Sequence, residues 1–258
     1  MLCQFCGQEH PEEFAFCPTT GKRLKRACPK PDCSLYGEYL FHLEQVACPV
    51  CGTLFIHKNN GHEFVDLGLS VKWATCNVGA SSPEEYGSYF AWGETCPKID
   101  YSWENLKYCI DIADIYCDKE DNFSKYNKNA DGIRDNKSLL DLDDDAAHIN
   151  WGGSWRMPSN AEFNELINDC FWAWTSMNGK KGYQITSESN GNSIFLPAAG
   201  MFIRTSVEKE GTQGNYWSKS LKKDSDSRYA EDFIFVSRNH CMWAEPRWLG
   251  LSVRPVCP

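Results

Sequence analysis

Beyond residue 61, apolar and polar positions alternate in short stretches broken by glycines and polar turns, a pattern that predicts strands more often than helices. Residues 64–74 read as two short strands around Gly68, and residues 86–92 as an aromatic strand. Two more strands are predicted at residues 230–236 and 251–256, with Pro255 suited to a sheet edge or a strand end. The clearest helix covers residues 159–167. There Pro158 precedes the cap, Ser159 and Glu162 make a capping-box pattern, and Phe163, Leu166 and Ile167 share one helical face.

Between Cys96 and Trp151 the periodicity fades into a polar insertion. Its segment Asn127-Lys128-Asn129-Ala130-Asp131-Gly132 partly resembles the start of an EF-hand calcium loop. Asn127 and Ser138 stand at the first and twelfth positions, where Asp and a bidentate Glu belong, so a solvated loop is expected instead. The acidic run 141–145, a second oxygen-rich candidate for calcium, precedes Ala146 and Ala147 and suits a helix N-terminus, whose dipole favours negative charge.

Before residue 61 the cysteines dominate. Seven of the 14 are spaced as Cys3-x2-Cys6-x10-Cys17 and Cys28-x4-Cys33-x14-Cys48-x2-Cys51. A tight Cys-x2-Cys turn aims two thiolates at one point, and a second pair across a hairpin completes the tetrahedral shell of Zn²⁺. Cys28, Cys33, Cys48 and Cys51 therefore predict a structural zinc ribbon. Cys3, Cys6 and Cys17 form a damaged set, since Thr20 stands where the fourth cysteine belongs. His10 or a water completes that shell, or the metal is absent. A disulfide framework is the alternative, disfavoured because no basic, apolar secretory leader precedes Cys3. With no stretch near the roughly 18 apolar residues of a membrane span, a cytoplasmic protein without a membrane partner is expected. Cys76, Cys96, Cys109, Cys117, Cys170, Cys241 and Cys257 are then thiols.

The polar stretch His57-Lys58-Asn59-Asn60-Gly61 sets a boundary between a zinc module at residues 1–57 and a domain at residues 61–258. Charge separates the two parts. Residues 1–58 hold six basic and six acidic residues, leaving 20 basic against 29 acidic in the rest. An acidic body argues against nucleic acid as a partner, because phosphate neutralisation needs clustered Lys and Arg. The basic run Lys22-Arg23-Leu24-Lys25-Arg26 reads as a solvated linker between the two cysteine sets. Ten tryptophans and 14% aromatic residues must either fill a core or form a binding surface.

Five blocks of the larger domain closely resemble the Fibrobacter succinogenes major paralogous domain. They are residues 65–75, Tyr89-Phe90-Ala91-Trp92-Gly93-Glu94-Thr95, Trp151-Gly152-Gly153-Ser154-Trp155-Arg156-Met157-Pro158, Ile194-Phe195-Leu196-Pro197-Ala198-Ala199-Gly200 and Ser252-Val253-Arg254-Pro255-Val256. Residues 1–55 resemble the double zinc ribbon family on a more generic pattern. The resemblance implies an α+β fold: a C-type-lectin-like domain with a small twisted antiparallel sheet, one or two helices, and first and last strands that pair. It is related to formylglycine-generating enzymes and to the variable proteins of diversity-generating retroelements, in which the C-terminal region contacts ligand.

In this chain that region runs from Asn215 to Gly250. Within it Arg238, His240, Trp243, Ala244, Glu245, Pro246, Arg247 and Trp248 set rigid aromatic area beside charged groups, the mixture found at interface hot spots. The expected ligand-binding set is Arg238, His240, Trp243, Ala244, Glu245, Pro246 and Trp248, presented by a short excursion between two strands. Retroelement mutagenesis of adenines in AAC codons cannot yield Trp or Glu, so Trp243, Glu245 and Trp248 are not its products. Arg238, His240, Ala244, Pro246 and Leu249 are compatible with it. An oxidase of the formylglycine-generating kind needs a copper-binding cysteine pair, for which only Cys241 and Cys257 lie nearby, without the surrounding motif. The expectation is thus a non-enzymatic binding protein with a protein or other macromolecular ligand, the alternatives being that oxidase or an adaptor acting through the ribbon.

Overall fold

The computed structural model describes residues 25–27, 40–42, 57–110, 123–128, 135–223 and 226–258. The chain forms two compact units, Met1–His57 and Lys58–Pro258. In the first, β1 (Lys25–Ala27) pairs antiparallel with β2 (Leu40–His42). The basic run read as a linker therefore ends inside a strand. Cys3, Cys6, Cys17, Cys28, Cys33, Cys48 and Cys51 lie outside the described residues, as do His10, Cys117 and most of the calcium-like segment.

The larger unit is built of strands. The first hairpin region comprises β3 (His57–Asn59), β4 (His62–Val65) and β5 (Lys72–Ala74), followed by the short β6 (Tyr89–Phe90). Two helices come next, α1 (Ala146–Trp151) and α2 (Asn160–Asn168). Asp145 caps α1 by accepting the His148 N–H, and Ser159 and Glu162 cap α2 reciprocally. Ten strands complete the chain: β7 (Cys170–Met177), β8 (Lys180–Ser187), β9 (Ser193–Pro197), β10 (Met201–Ile203), β11 (Ser206–Glu208), β12 (Gln213–Leu221), β13 (Tyr229–Val236), β14 (Asn239–Pro246), β15 (Leu251–Ser252) and β16 (Val256–Cys257).

The strands make a five-stranded sheet in the order β14-β13-β12-β15-β6, a four-stranded sheet β16-β5-β4-β3, a three-stranded sheet β7-β8-β9 and the hairpin β10-β11. The expected α+β, C-type-lectin-like domain with one small antiparallel sheet is corrected here: the unit is mostly β, spread over several sheets, and its largest sheet is mixed, since β12 and β15 run parallel. The cause lies in long alternating stretches after α2. Residues 170–187 form one hairpin of two eight-residue strands, and the supposed excursion at residues 239–246 is itself a strand. The closing strand β16 pairs with β5, at Val256↔Trp73, and not, as expected, with the unit's first strand.

Consecutive residues of a strand point to opposite faces, and β12 is buried on both. Tyr216 joins one core with Trp73, Phe163 and Leu166 of α2, and Phe233 and Phe235 of β13. Trp217 joins another with Trp92, Trp155, Ala230 and Leu251. Two carboxylates of the acidic run are consumed internally. Asp144 accepts hydrogen bonds from Lys107, Lys125, Tyr108 and Tyr126, while Asp145 accepts the backbone N–H groups of His148 and Met157. Cys76, Cys96, Cys170, Cys241 and Cys257 are free, but Cys109 is disulfide-bonded, which corrects its reading as a thiol. No helix among the described residues is long and apolar enough to cross a membrane.

Candidate ligand-binding face

Strands β13 and β14 form a hairpin closed by Ser237 and Arg238, with the register Val236↔Asn239, Ile234↔Cys241, Asp232↔Trp243 and Ala230↔Glu245. Directly opposed residues share a face. One face therefore carries Tyr229, Glu231, Phe233 and Phe235 beside Pro246, Ala244, Met242 and His240. The other carries Asp232 beside Trp243, with Glu245 diagonal to it. β14 is the edge of the sheet, and α2 packs against it from the first face.

The expected binding residues separate into groups on this frame. Trp243, Ala244, Glu245 and Pro246 together border one cavity of about 820 Å³, completed by Met242 of the same strand, Tyr229 and Glu231 of β13, Lys222, Lys223 and Asn160. Trp243 is 60% exposed. Arg238 is exposed at the hairpin turn, at the other end of a strand that spans roughly 26 Å. His240 is half-buried, its ring stacked on Trp172 at 4.3 Å, and burial lowers its pKa below the usual histidine value. Trp248, also half-buried, follows the strand and packs against two core clusters, with its ring 6.3 Å from that of Trp103. Arg247 is no surface donor. It is fully buried, with its guanidinium 4.3 Å from the Phe123 ring centroid and 4.9 Å from that of Trp92, and burial pushes its pKa down to about 9.

The cavity walls include residues that the pattern of the chain did not single out. Glu231 is 8% exposed, and its Oε2 is buried without a hydrogen-bond partner. It also borders a second cavity of about 480 Å³, which shares Asn160 and Lys223 with the first. Desolvation raises the Glu231 pKa. Across the sheet, Asp232 is fully buried; its Oδ2 accepts from Asn215 at 3.0 Å, whereas Oδ1 has no partner. Burial, with Glu245 nearby, pushes this carboxyl up to about 8. Glu245 is itself raised by desolvation. A signal for these groups was present: two adjacent carboxylates inside an otherwise apolar strand, a costly arrangement that draws attention to a site.

Cys241 lies in the five-stranded sheet and Cys257 in the four-stranded one, both free. The face can offer an anchored aromatic ring, a strand edge and desolvated carboxylates to a ligand. No family model, curated protein or solved structure matches this chain.

Proposed function

We propose that the chain is a non-enzymatic recognition protein that binds another protein through the outer edge of the β13–β14 hairpin. The observation that carries this reading is Trp243, a large aromatic residue left 60% exposed in the middle of a regular edge strand and bordering a cavity of about 820 Å³. Strand pairing fixes the ring's backbone, so binding orders little that is not already ordered. Aromatic anchors of this kind supply interface hot spots. Residues 1–57 would serve as the zinc-binding docking module, on the metal-type spacing of their cysteines. The resemblance to retroelement variable proteins points to the same region, in which Arg238, His240, Ala244, Pro246 and Leu249 are compatible with adenine mutagenesis, although Leu249 is buried.

The test is a photo-crosslinking residue placed at position 243 of the full chain, with a control at Ile99, which is 88% exposed and distant in sequence. Position 243 should yield a discrete crosslinked protein in a lysate of the source organism, and position 99 should not. Identical products at both positions would overturn this assignment of the face.

A further inference from the structure

The outer edge of β14 has a definite hydrogen-bonding pattern. A two-residue turn makes Val236↔Asn239 a hydrogen-bonded pair, and such pairs alternate along an antiparallel ladder. Asn239, Cys241, Trp243 and Glu245 thus spend their N–H and C=O groups on β13. His240, Met242 and Ala244 point theirs outward, where no described residue pairs with them. Pro246 falls on the outward set, the only set in which its missing N–H costs the ladder nothing. The edge is therefore free over three consecutive outward positions.

Beside that edge lies Glu231, a buried acid hydrogen-bonded to Asn160 whose Oε2 has no hydrogen-bond partner. Glu231 is directly opposite Ala244 in the register, so both side chains stand on one face. A strand added outside β14 would put a residue opposite Ala244 about 9.5 Å from Glu231, two strand spacings away and on the same face. Ala244, the smallest side chain of β14, leaves the path between them open through the cavity that Glu231 and Ala244 both border. A lysine's four-carbon stem suits that span. Lys223 and Lys128 lie near enough to favour the charged form of Glu231, but no described cation is in ion-pair contact with it. The Lys222 ammonium is held 5.1 Å from the Tyr229 ring centroid, and Lys223 is exposed.

We infer that this edge takes an extended peptide segment of a partner protein by strand addition, with a basic side chain, lysine or arginine, passing over Ala244 to the Glu231 carboxylate. The inference rests on the recognition face proposed above and adds its chemistry. Main-chain hydrogen bonds to His240, Met242 and Ala244 give affinity, and the pocket gives selectivity. The buried Oε2 without a partner is what a cation relieves, because an unmet buried acceptor costs free energy. The charge balance agrees: the residues after 58 carry 20 basic against 29 acidic groups. A second copy of β14 is a poor occupant, since residues 239–246 contain no Lys or Arg and would leave Glu231 unmet.

The test uses end-blocked hexapeptide pools, randomised at five positions and fixed at the third as Lys, Arg, Gln or Glu, passed over the immobilised full chain. Lys and Arg pools should be retained at least tenfold more than Gln and Glu pools. Methylating alternate backbone nitrogens of the Lys pool should abolish retention. Glu231→Gln should erase the preference for Lys and Arg while leaving the melting temperature within a few degrees. If that variant fails to fold, Ala244→Leu, which blocks the path without touching the carboxyl, should erase the same preference. Equal retention of all four pools overturns the cation anchor, and retention indifferent to N-methylation overturns strand addition. A concentration-dependent dimer lost on N-methylation-like blocking of the edge, such as Met242→Pro, would instead assign the edge to a second copy and also overturn the inference. Should the pools fail while position 243 still crosslinks a single protein, the face stands and only this chemistry falls.

Discussion

Trp243 and Trp248 are five residues apart and have the same chemistry, yet the end of β14 at Pro246 sends them to different fates. Trp243 sits on β14 with its ring 60% exposed, whereas Trp248 lies beyond the strand against two core clusters. Their truncations should therefore differ in kind. Trp248→Ala should lower stability by about 2–3 kcal/mol, below the full cost of a buried tryptophan because the residue is not completely covered. Trp243→Ala should move it by less than about 0.5 kcal/mol while weakening partner capture. Chemical denaturation of both variants separates them, and equal losses would remove Trp243 from the interface. At Asp232 the prediction concerns pH. Its carboxyl is pushed up to about 8 by burial, against roughly 3.9 in an unfolded chain. Between those values the folded state keeps a proton that the unfolded state has lost, so its contribution to stability declines from pH 4 to pH 8. Asp232→Asn should be nearly neutral at pH 4.5 and stabilising by about 1–3 kcal/mol at pH 8, measured by urea unfolding at both. Exposure at this scale was not legible in the sequence: whether a tryptophan or an adjacent acid is covered depends on neighbours far away in the chain.

Elements were legible where local chemistry decides them. The capping box at Ser159 and Glu162 located α2, and the alternation of residues 230–236 located β13. The largest miss, the β7–β8 hairpin, also carried a local signal in Asn178-Gly179, a two-residue turn with both φ values positive, at 46° and 82°. By contrast, β14 could not be told from an excursion, because an edge strand with one open side tolerates mixed residues that blur the period. The two kinds of turn glycine make a testable contrast. At Gly179 a Cβ would meet nothing within 4 Å, so Gly179→Ala pays only for the left-handed backbone, about 1 kcal/mol. At Gly200, with φ 69°, a Cβ would stand 2.1 Å from the Glu208 carbonyl oxygen. Gly200→Ala must move the β10–β11 hairpin and should cost roughly 3 kcal/mol or more. Thermal unfolding ranks the two, and a Gly179→Ala loss equal to that of Gly200→Ala would mean the hairpin turn is not built as described.

For the whole molecule, the question is whether the two units share their stability. The cores of the larger unit are composed of residues from Phe64 onward, and its last strand, β16, pairs back onto β5. The described residues of those cores are apolar and aromatic side chains. The smaller unit is short, and in small modules metal ligation supplies much of the folding free energy. If Cys28, Cys33, Cys48 and Cys51 hold Zn²⁺, with a weaker site at Cys3, Cys6 and Cys17, chelation should unfold residues 1–57 and spare the rest. The sequence provides a clean readout, because all ten tryptophans lie between residues 73 and 248. Tryptophan fluorescence therefore follows only the larger unit, and its melting midpoint should stay within about 1–2 °C after zinc is stripped. Elemental analysis of protein purified without chelator should give about one tightly held zinc per chain, lost in Cys48→Ser. Absence of zinc would defeat the ribbon reading alone. A fluorescence midpoint that falls together with zinc loss would show instead that the units fold as one, and the boundary at residues 57–61 would have to be given up.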